Sequence, residues 1–161
     1  MNISENLDEK IEKAVELFKA GYNCSQAVFT AFAGLYGLDR ETSLRISASF
    51  GGGIGRMRQT CGAACGMFLL AGLENGATDA SDQTGKGNNY KLVQELAKQF
   101  KEKNGSIICA ELLGLTNKEH TETNPDQRTP EYYKKRPCTE MVREAATIYA
   151  EFLKTKYTDK Q

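Results

Sequence analysis

The stretch SFGGGIGRMRQTCGAACG, residues 49–66, contains a run of glycines, two arginines and two cysteines. Glycine adopts left-handed backbone conformations and lets other atoms approach closely, so the first half predicts a tight loop. From Cys61 to Leu73 the residues are small or apolar, which predicts a buried helix in close contact with its neighbours. The segment is therefore predicted to be a glycine-rich loop that leads into a buried, cysteine-bearing helix.

Helical periodicity continues on both sides of this stretch. Apolar residues recur at helical spacing before the loop over residues 6–19 and 24–36, and Asp39 can cap a third helix that ends at Ile46 or Phe50, with Ala48 and Phe50 turned inward. After the buried helix, the pattern predicts helices over 88–103 and 107–113 and a final helix that starts at Pro137. Residues 78–89 and 116–136 are polar and are predicted to be connections.

No segment alternates apolar and polar residues for long enough to predict a strand. The fold prediction is an all-α, single-domain bundle of about six helices that covers residues 1–161, with its core at about residues 7–155. The length of 161 residues is sufficient to bury a core without disulfide bonds.

Charge and composition narrow the class of protein. The formal net charge is zero, which gives no electrostatic signature for binding nucleic acid. The N-terminus is acidic and polar rather than a secretory signal, and the longest apolar run is too short to span a bilayer. We therefore expect a cytoplasmic protein without a membrane partner. In a reducing compartment, five cysteines indicate redox chemistry, catalysis or metal binding more readily than structural disulfides.

Four of the cysteines fall at or near the predicted starts of helices: Cys24, Cys61, Cys109 and Cys138. The free N–H groups and the dipole at a helix start favour an anion, so this placement predicts lowered thiol pKa values. The alternative is that these cysteines are small apolar residues of the core. Cys65 lies one helical turn after Cys61 and fits either an exchange partner or a core position, so its role stays open.

The glycine-rich loop lacks the lysine and hydroxyl residues of a nucleotide-binding P-loop. Its backbone amides can instead form an anion-binding nest, to which Arg56 and Arg58 add charge. The predicted ligand-binding residues are Gly52, Gly53, Gly55 and Arg56. A tight turn around a neighbouring helix explains the same glycines equally well.

The order of these landmarks resembles a known family. The segment from Cys61 to Gly66 has the form CGAxxG, and it lies between Cys24 upstream and Cys109 and Cys138 downstream. This arrangement is similar to the C_GCAxxG_C_C family of redox-active proteins, which are small prokaryotic proteins with four cysteines and a CGAxxG motif. The resemblance implies that these four cysteines are the functional ones and that Cys65 occupies a variable position.

The leading interpretation is a thiol-based redox protein, a possible thiol–disulfide oxidoreductase, in which Cys61 is the activated thiolate and Cys24, Cys109 or Cys138 resolves the mixed disulfide. Arg56 and the loop amides would stabilise the charge on Cys61. Its partner would be a redox protein or a small thiol. One alternative is a zinc or iron–sulfur protein that uses the same four cysteines as ligands. Another is a non-catalytic helical binding module, in which the first helix would serve to form a homodimer.

Overall fold

The computed structural model describes residues 6–115 and 119–158. Within these ranges it contains eight α-helices and two short 3-10 turns, at Gly34–Tyr36 and Ala48–Phe50. The helices are, in chain order, α1 (Leu7–Lys19), α2 (Cys24–Ala33), α3 (Arg40–Ser47), α4 (Gly62–Asn75), α5 (Gln83–Asn104), α6 (Cys109–Leu112), α7 (Pro130–Lys135) and α8 (Cys138–Thr158). The predicted all-α class is confirmed.

Helix α2 lies at the centre of the bundle and packs against α1, α3, α4 and α8. Helix α4 also contacts α5 and α8, so the core lies between these long helices. The largest side chains with almost no exposure include Phe18, Phe32, Phe100 and Tyr149, one from each of α1, α2, α5 and α8. Burying such aromatic and aliphatic surface supplies the main stabilisation of a helical bundle.

A buried carboxylate connects the C-terminal end of α4 to α8 and to the first 3-10 turn. The side chain of Glu74 is only 1% exposed. It accepts hydrogen bonds from Tyr36 at 2.6 Å and Tyr157 at 2.7 Å, and it forms an ion pair with Lys156. Burial raises the pKa of Glu74, but the hydrogen bonds from these three side chains outweigh burial and hold the pKa below its ordinary value. The cluster joins α4, α8 and the first 3-10 turn at the end of α4 remote from Cys61.

Three details differ from the sequence prediction. Helix α5 starts five residues before the predicted Asn88, because Asp82 caps it by accepting the Gly85 amide at 2.8 Å. Helix α7 lies inside the predicted connection and begins with Pro130 after the capping residue Thr129. Ala48 is exposed rather than inward.

The inward positions of α3 are serines instead. Ser43 and Ser47 are buried, and each hydroxyl donates to the carbonyl oxygen four residues earlier. A hydroxyl whose hydrogen bond is made within its own helix can be buried at little cost, and a hydrophobic pattern does not reveal it.

No helix of the described ranges is long and apolar enough to cross a membrane.

Candidate functional site

All four predicted cysteines line a single cavity of about 350 Å³: Cys24, Cys61, Cys109 and Cys138. Each lies at a helix start, as the sequence predicts. Cys24, Cys109 and Cys138 are the first residues of α2, α6 and α8, and Cys61 is the N-cap of α4. All five cysteines of the chain are free thiols. The tertiary fold therefore gathers side chains from four helices into one place.

The glycine-rich loop reaches this cavity in an unusual backbone conformation. Five consecutive residues from Gly52 to Arg56 have φ between 56° and 73°, and Arg58 has φ of 59°. Ile54 is β-branched, and left-handed conformations cost such residues about 1–3 kcal/mol each. The loop is held by its own backbone, since the amides of Gly55 and Arg58 donate to the carbonyls of Ser49 at 2.7 Å and Gly52 at 3.2 Å. Gly53 and Gly55, two of the predicted ligand-binding residues, both have positive φ.

The end of the loop connects the starts of two cysteine-bearing helices, α4 and α6, through backbone hydrogen bonds. Thr60 and Ile108 form an isolated antiparallel bridge. On either side of it, the Cys61 amide donates to the Ile107 carbonyl at 2.7 Å and the Cys109 amide donates to the Gln59 carbonyl at 2.6 Å. A β-carbon at Gly53 would lie 2.6 Å from the β-carbon of Cys109, so only glycine fits there without displacing this cysteine.

The CGAxxG motif explains how α2 brings Cys24 next to Cys61. A β-carbon on Gly62 would lie 2.5 Å from the Cys24 sulfur and 2.9 Å from the Phe50 carbonyl oxygen. One turn later, a β-carbon on Gly66 would lie 2.9 Å from the Ser25 carbonyl oxygen. Both glycines therefore form the surface on which the start of α2 rests. The Cys24 sulfur packs against the first residue of α4, immediately after Cys61.

Burial has a larger effect on the pKa values of these thiols than the hydrogen bonds at the helix starts have. Cys61 is only 6% exposed. Burial raises its pKa well above the ordinary value and the neighbouring Cys24 raises it further, while the amides of Ala64 and Ala63 act in the opposite direction. Burial likewise raises the pKa of Cys138 to about 11 and that of Cys109, where Arg58 opposes the shift. The expectation of lowered pKa values is wrong for these three thiols, although the helix-start hydrogen bonds to Cys61 are present.

Arg56 and Arg58 take different positions beside the cavity. Arg56 donates to the carboxylates of Glu122 at 3.1 Å and Asp126 at 3.2 Å, and Asp126 also pairs with Arg136. Arg58 is 8% exposed and donates to the Cys109 sulfur at 3.7 Å. Arg56 thus pairs with acidic residues beside the cavity, whereas Arg58 contacts the Cys109 thiol.

A further arginine comes from the segment before α7. Arg128 donates to the carbonyls of Phe18 at 2.8 Å and Tyr22 at 3.0 Å, and its guanidinium lies over the Phe18 ring at 4.2 Å. Arg128, Arg136 and Tyr132 all line the cavity, together with Thr123, Pro125 and Asp126. Residues 123–128 thus form one wall, and Asp126 holds that wall against the glycine-rich loop. Sequence reasoning missed this wall because its polar composition is that of an ordinary surface connection.

Cys65 stands apart from the other four. It does not line the cavity, and its thiol contacts the Thr60 carbonyl oxygen at 3.7 Å. Burial raises the pKa of Cys65 to about 12. Within the described ranges, no group of three or more histidine, cysteine, aspartate or glutamate side chains is arranged to hold a metal ion. The zinc and iron–sulfur alternatives therefore remain predictions from the sequence, without support from this geometry.

The fold and the cavity define a helical protein that assembles four free thiols from separate helices. Residues 22–152 match the family model described as "Putative redox-active protein (C_GCAxxG_C_C)". The chain belongs to this family, which confirms the resemblance seen in the sequence. Neither the curated proteins nor the solved structures contain a significant match.

Proposed function

We propose that the protein exchanges thiols and disulfides, with Cys24 and Cys61 as the working pair. The packing of the Cys24 sulfur against Gly62 carries this proposal, because it places Cys24 next to the residue that follows Cys61. Among the neighbouring residues, Cys24 also has the largest influence on the pKa of Cys61. Family membership supplies the redox class, and the geometry favours this pair among the four cysteines that line the cavity.

Within the pair, Cys24 is the better entering nucleophile. Cys24 is half-buried and lines the cavity, whereas Cys61 is 6% exposed and has a raised pKa. A thiolate attacks a disulfide sulfur in line, so the accessible sulfur reacts first. This order reverses the assignment favoured by the sequence, in which Cys61 attacks. Cys61 then acts as the resolving thiol.

The exchange proceeds in two balanced steps. The Cys24 sulfur bonds to one sulfur of a substrate disulfide, the substrate S–S bond breaks, and the released thiolate takes up the Cys24 proton. The Cys61 sulfur then attacks Cys24, the mixed disulfide breaks, and the second thiolate takes up the Cys61 proton. The substrate gains two electrons and two protons, and the protein gains a Cys24–Cys61 disulfide. A small thiol or a redox partner protein restores the dithiol by the reverse exchange, as a reducing cytoplasm would allow.

Thiol counting on cysteine variants tests the proposal. Reduced protein is mixed with one equivalent of the neutral bis(2-hydroxyethyl) disulfide, and the remaining thiols and the protein mass are measured. Wild type should fall from five free thiols to three. Cys61→Ser should stop at a mixed disulfide on Cys24, and Cys24→Ser should react far more slowly. Cys65→Ser is the matched control, since Cys65 lies outside the cavity, and it should still lose two thiols. Oxidation of Cys24→Ser at the wild-type rate would refute the assignment.

A further inference from the structure

The arginines around the cavity are only partly neutralised. Four guanidinium groups line it, from Arg56, Arg58, Arg128 and Arg136, whereas Asp126 is its one acidic lining residue within the described ranges. Asp126 and Glu122 pair with Arg56 and Arg136. Arg128 is held by two backbone carbonyls, which carry no full charge. Positive charge therefore remains in a cavity that also contains the reactive thiols.

Arg58 is the most unusual of the four. It is 8% exposed, and no carboxylate of the described residues forms an ion pair with it. Its guanidinium contacts a neutral thiol, that of Cys109, whose pKa burial raises despite Arg58. A buried guanidinium is costly unless an anion compensates it. The strained backbone at Arg58, with φ of 59°, is a second cost that the fold sustains to keep this side chain inside.

We infer that the cavity binds a small anionic disulfide, with a carboxylate of the substrate paired to Arg58 while its sulfurs meet Cys24. This inference rests on the thiol–disulfide exchange proposed above and names its substrate class. A volume of about 350 Å³ suits a small molecule rather than a folded partner. Apolar walls from Phe18, Leu112 and Met141 would contact the carbon chain between the sulfur and the carboxylate. The planar guanidinium presents two parallel N–H groups, which match the two oxygens of a carboxylate.

Three disulfides of similar length and different charge test the selectivity. They are 3,3′-dithiodipropionate, a dianion; bis(2-hydroxyethyl) disulfide, which is neutral; and cystamine, a dication. Each oxidation rate of the reduced protein is divided by the rate of the same disulfide with dithiothreitol, which removes intrinsic reactivity. The dianion should be favoured over the neutral compound by about tenfold or more, which corresponds to about 1.4 kcal/mol of binding selectivity, and cystamine should be the slowest.

Arginine variants then locate the origin of the selectivity. Arg58→Gln should lose the preference for the dianion, and Arg58→Lys should keep part of it because the charge remains. Arg45→Gln is the matched control, since Arg45 is an exposed arginine on α3 paired with Glu41, and it should behave as wild type. If Arg58→Gln does not fold, the comparison of the three disulfides on the wild-type protein still tests the inference. Equal normalised rates for the three compounds would overturn it.

A second arm separates binding from redox chemistry. Suberate has the length and the two carboxylates of the dianionic probe but no sulfur. It should slow the alkylation of Cys24 by N-ethylmaleimide in wild type and not in Arg58→Gln, while neutral 1,8-octanediol should have little effect. Equal normalised rates with all three disulfides would refute the preference for an anionic substrate. The proposed thiol–disulfide exchange would still stand. Protection by suberate with no oxidation by any disulfide would instead overturn the proposed exchange and show that the anion site exists.

Discussion

Replacing Gly62 by alanine tests whether the CGAxxG motif sets the position of Cys24. The new β-carbon would lie 2.5 Å from the Cys24 sulfur, 2.9 Å from the Phe50 carbonyl oxygen and 3.2 Å from the Gly51 α-carbon. Two of these three neighbours are backbone atoms, so the cysteine or the helix start must move. Overpacking of this kind costs about 1–3 kcal/mol.

The matched control for this substitution lies in the same helix. Gly72 is also part of α4, and a β-carbon there would meet no atom within 4 Å. Gly72→Ala should therefore stabilise the protein by as much as about 1 kcal/mol through helix propensity alone. Opposite signs for the two glycine substitutions would separate close packing at the motif from a general effect of glycine in a helix.

Urea unfolding of the reduced proteins measures both effects. For a domain of this size, each kcal/mol changes the Tm by about 2–4 °C, so thermal scans provide a second readout. Gly62→Ala should also slow formation of the Cys24–Cys61 disulfide, because the Cys24 sulfur is displaced from the start of α4. A Gly62→Ala protein with wild-type stability and a wild-type rate of disulfide formation would refute the account of the motif.

Three further substitutions examine the surroundings of the site. Gly53→Ala should destabilise the protein more than Gly55→Ala in urea unfolding, since both have positive φ but only Gly53 approaches Cys109, and equal losses would contradict this. Glu74→Gln should lose about 1–3 kcal/mol at neutral pH, because its hydrogen bonds to Lys156 and two tyrosines are charge-assisted. The lowered pKa of Glu74 means that this stabilisation is present above about pH 4.5, its unfolded value, and is lost as the pH falls through the folded pKa. The stability difference between wild type and Glu74→Gln should therefore shrink below that pH, and a constant difference would contradict the linkage. Asp126→Asn should weaken the contact between the cavity wall and the glycine-rich loop and speed alkylation of Cys24, whereas unchanged alkylation would show that the wall does not limit access.

The sequence predicts the helices of this protein better than it predicts the chemistry of the thiols. The Asn23 cap of α2 and the apolar spacing of α8 place Cys24 and Cys138 at helix starts, and these are local features. The pKa of Cys61 depends instead on burial beneath several helices, a tertiary property that outweighs two local hydrogen bonds. A helix-start argument alone therefore gives the wrong direction of the shift.

The different partners of Arg56 and Arg58 also depend on the tertiary fold. The two arginines are two positions apart in a loop with left-handed backbone, where neither helical nor strand periodicity applies. One points to Glu122 and Asp126, and the other to Cys109. The sequence does not predict that residues 123–128 form a wall of the cavity, because only the tertiary fold brings them close to the cysteines. The glycines at 62 and 66 were identified as a motif, but their packing role requires the position of α2.

A peptide map of the oxidised protein shows which cysteines form the disulfide. Reduced protein is treated with one equivalent of disulfide, quenched with acid, alkylated and digested, and the cross-linked peptides are identified by mass spectrometry. We expect one dominant disulfide, between Cys24 and Cys61, with Cys65 recovered as a free thiol. A dominant bridge that excludes Cys24, or recovery of all five cysteines as free thiols, would contradict it.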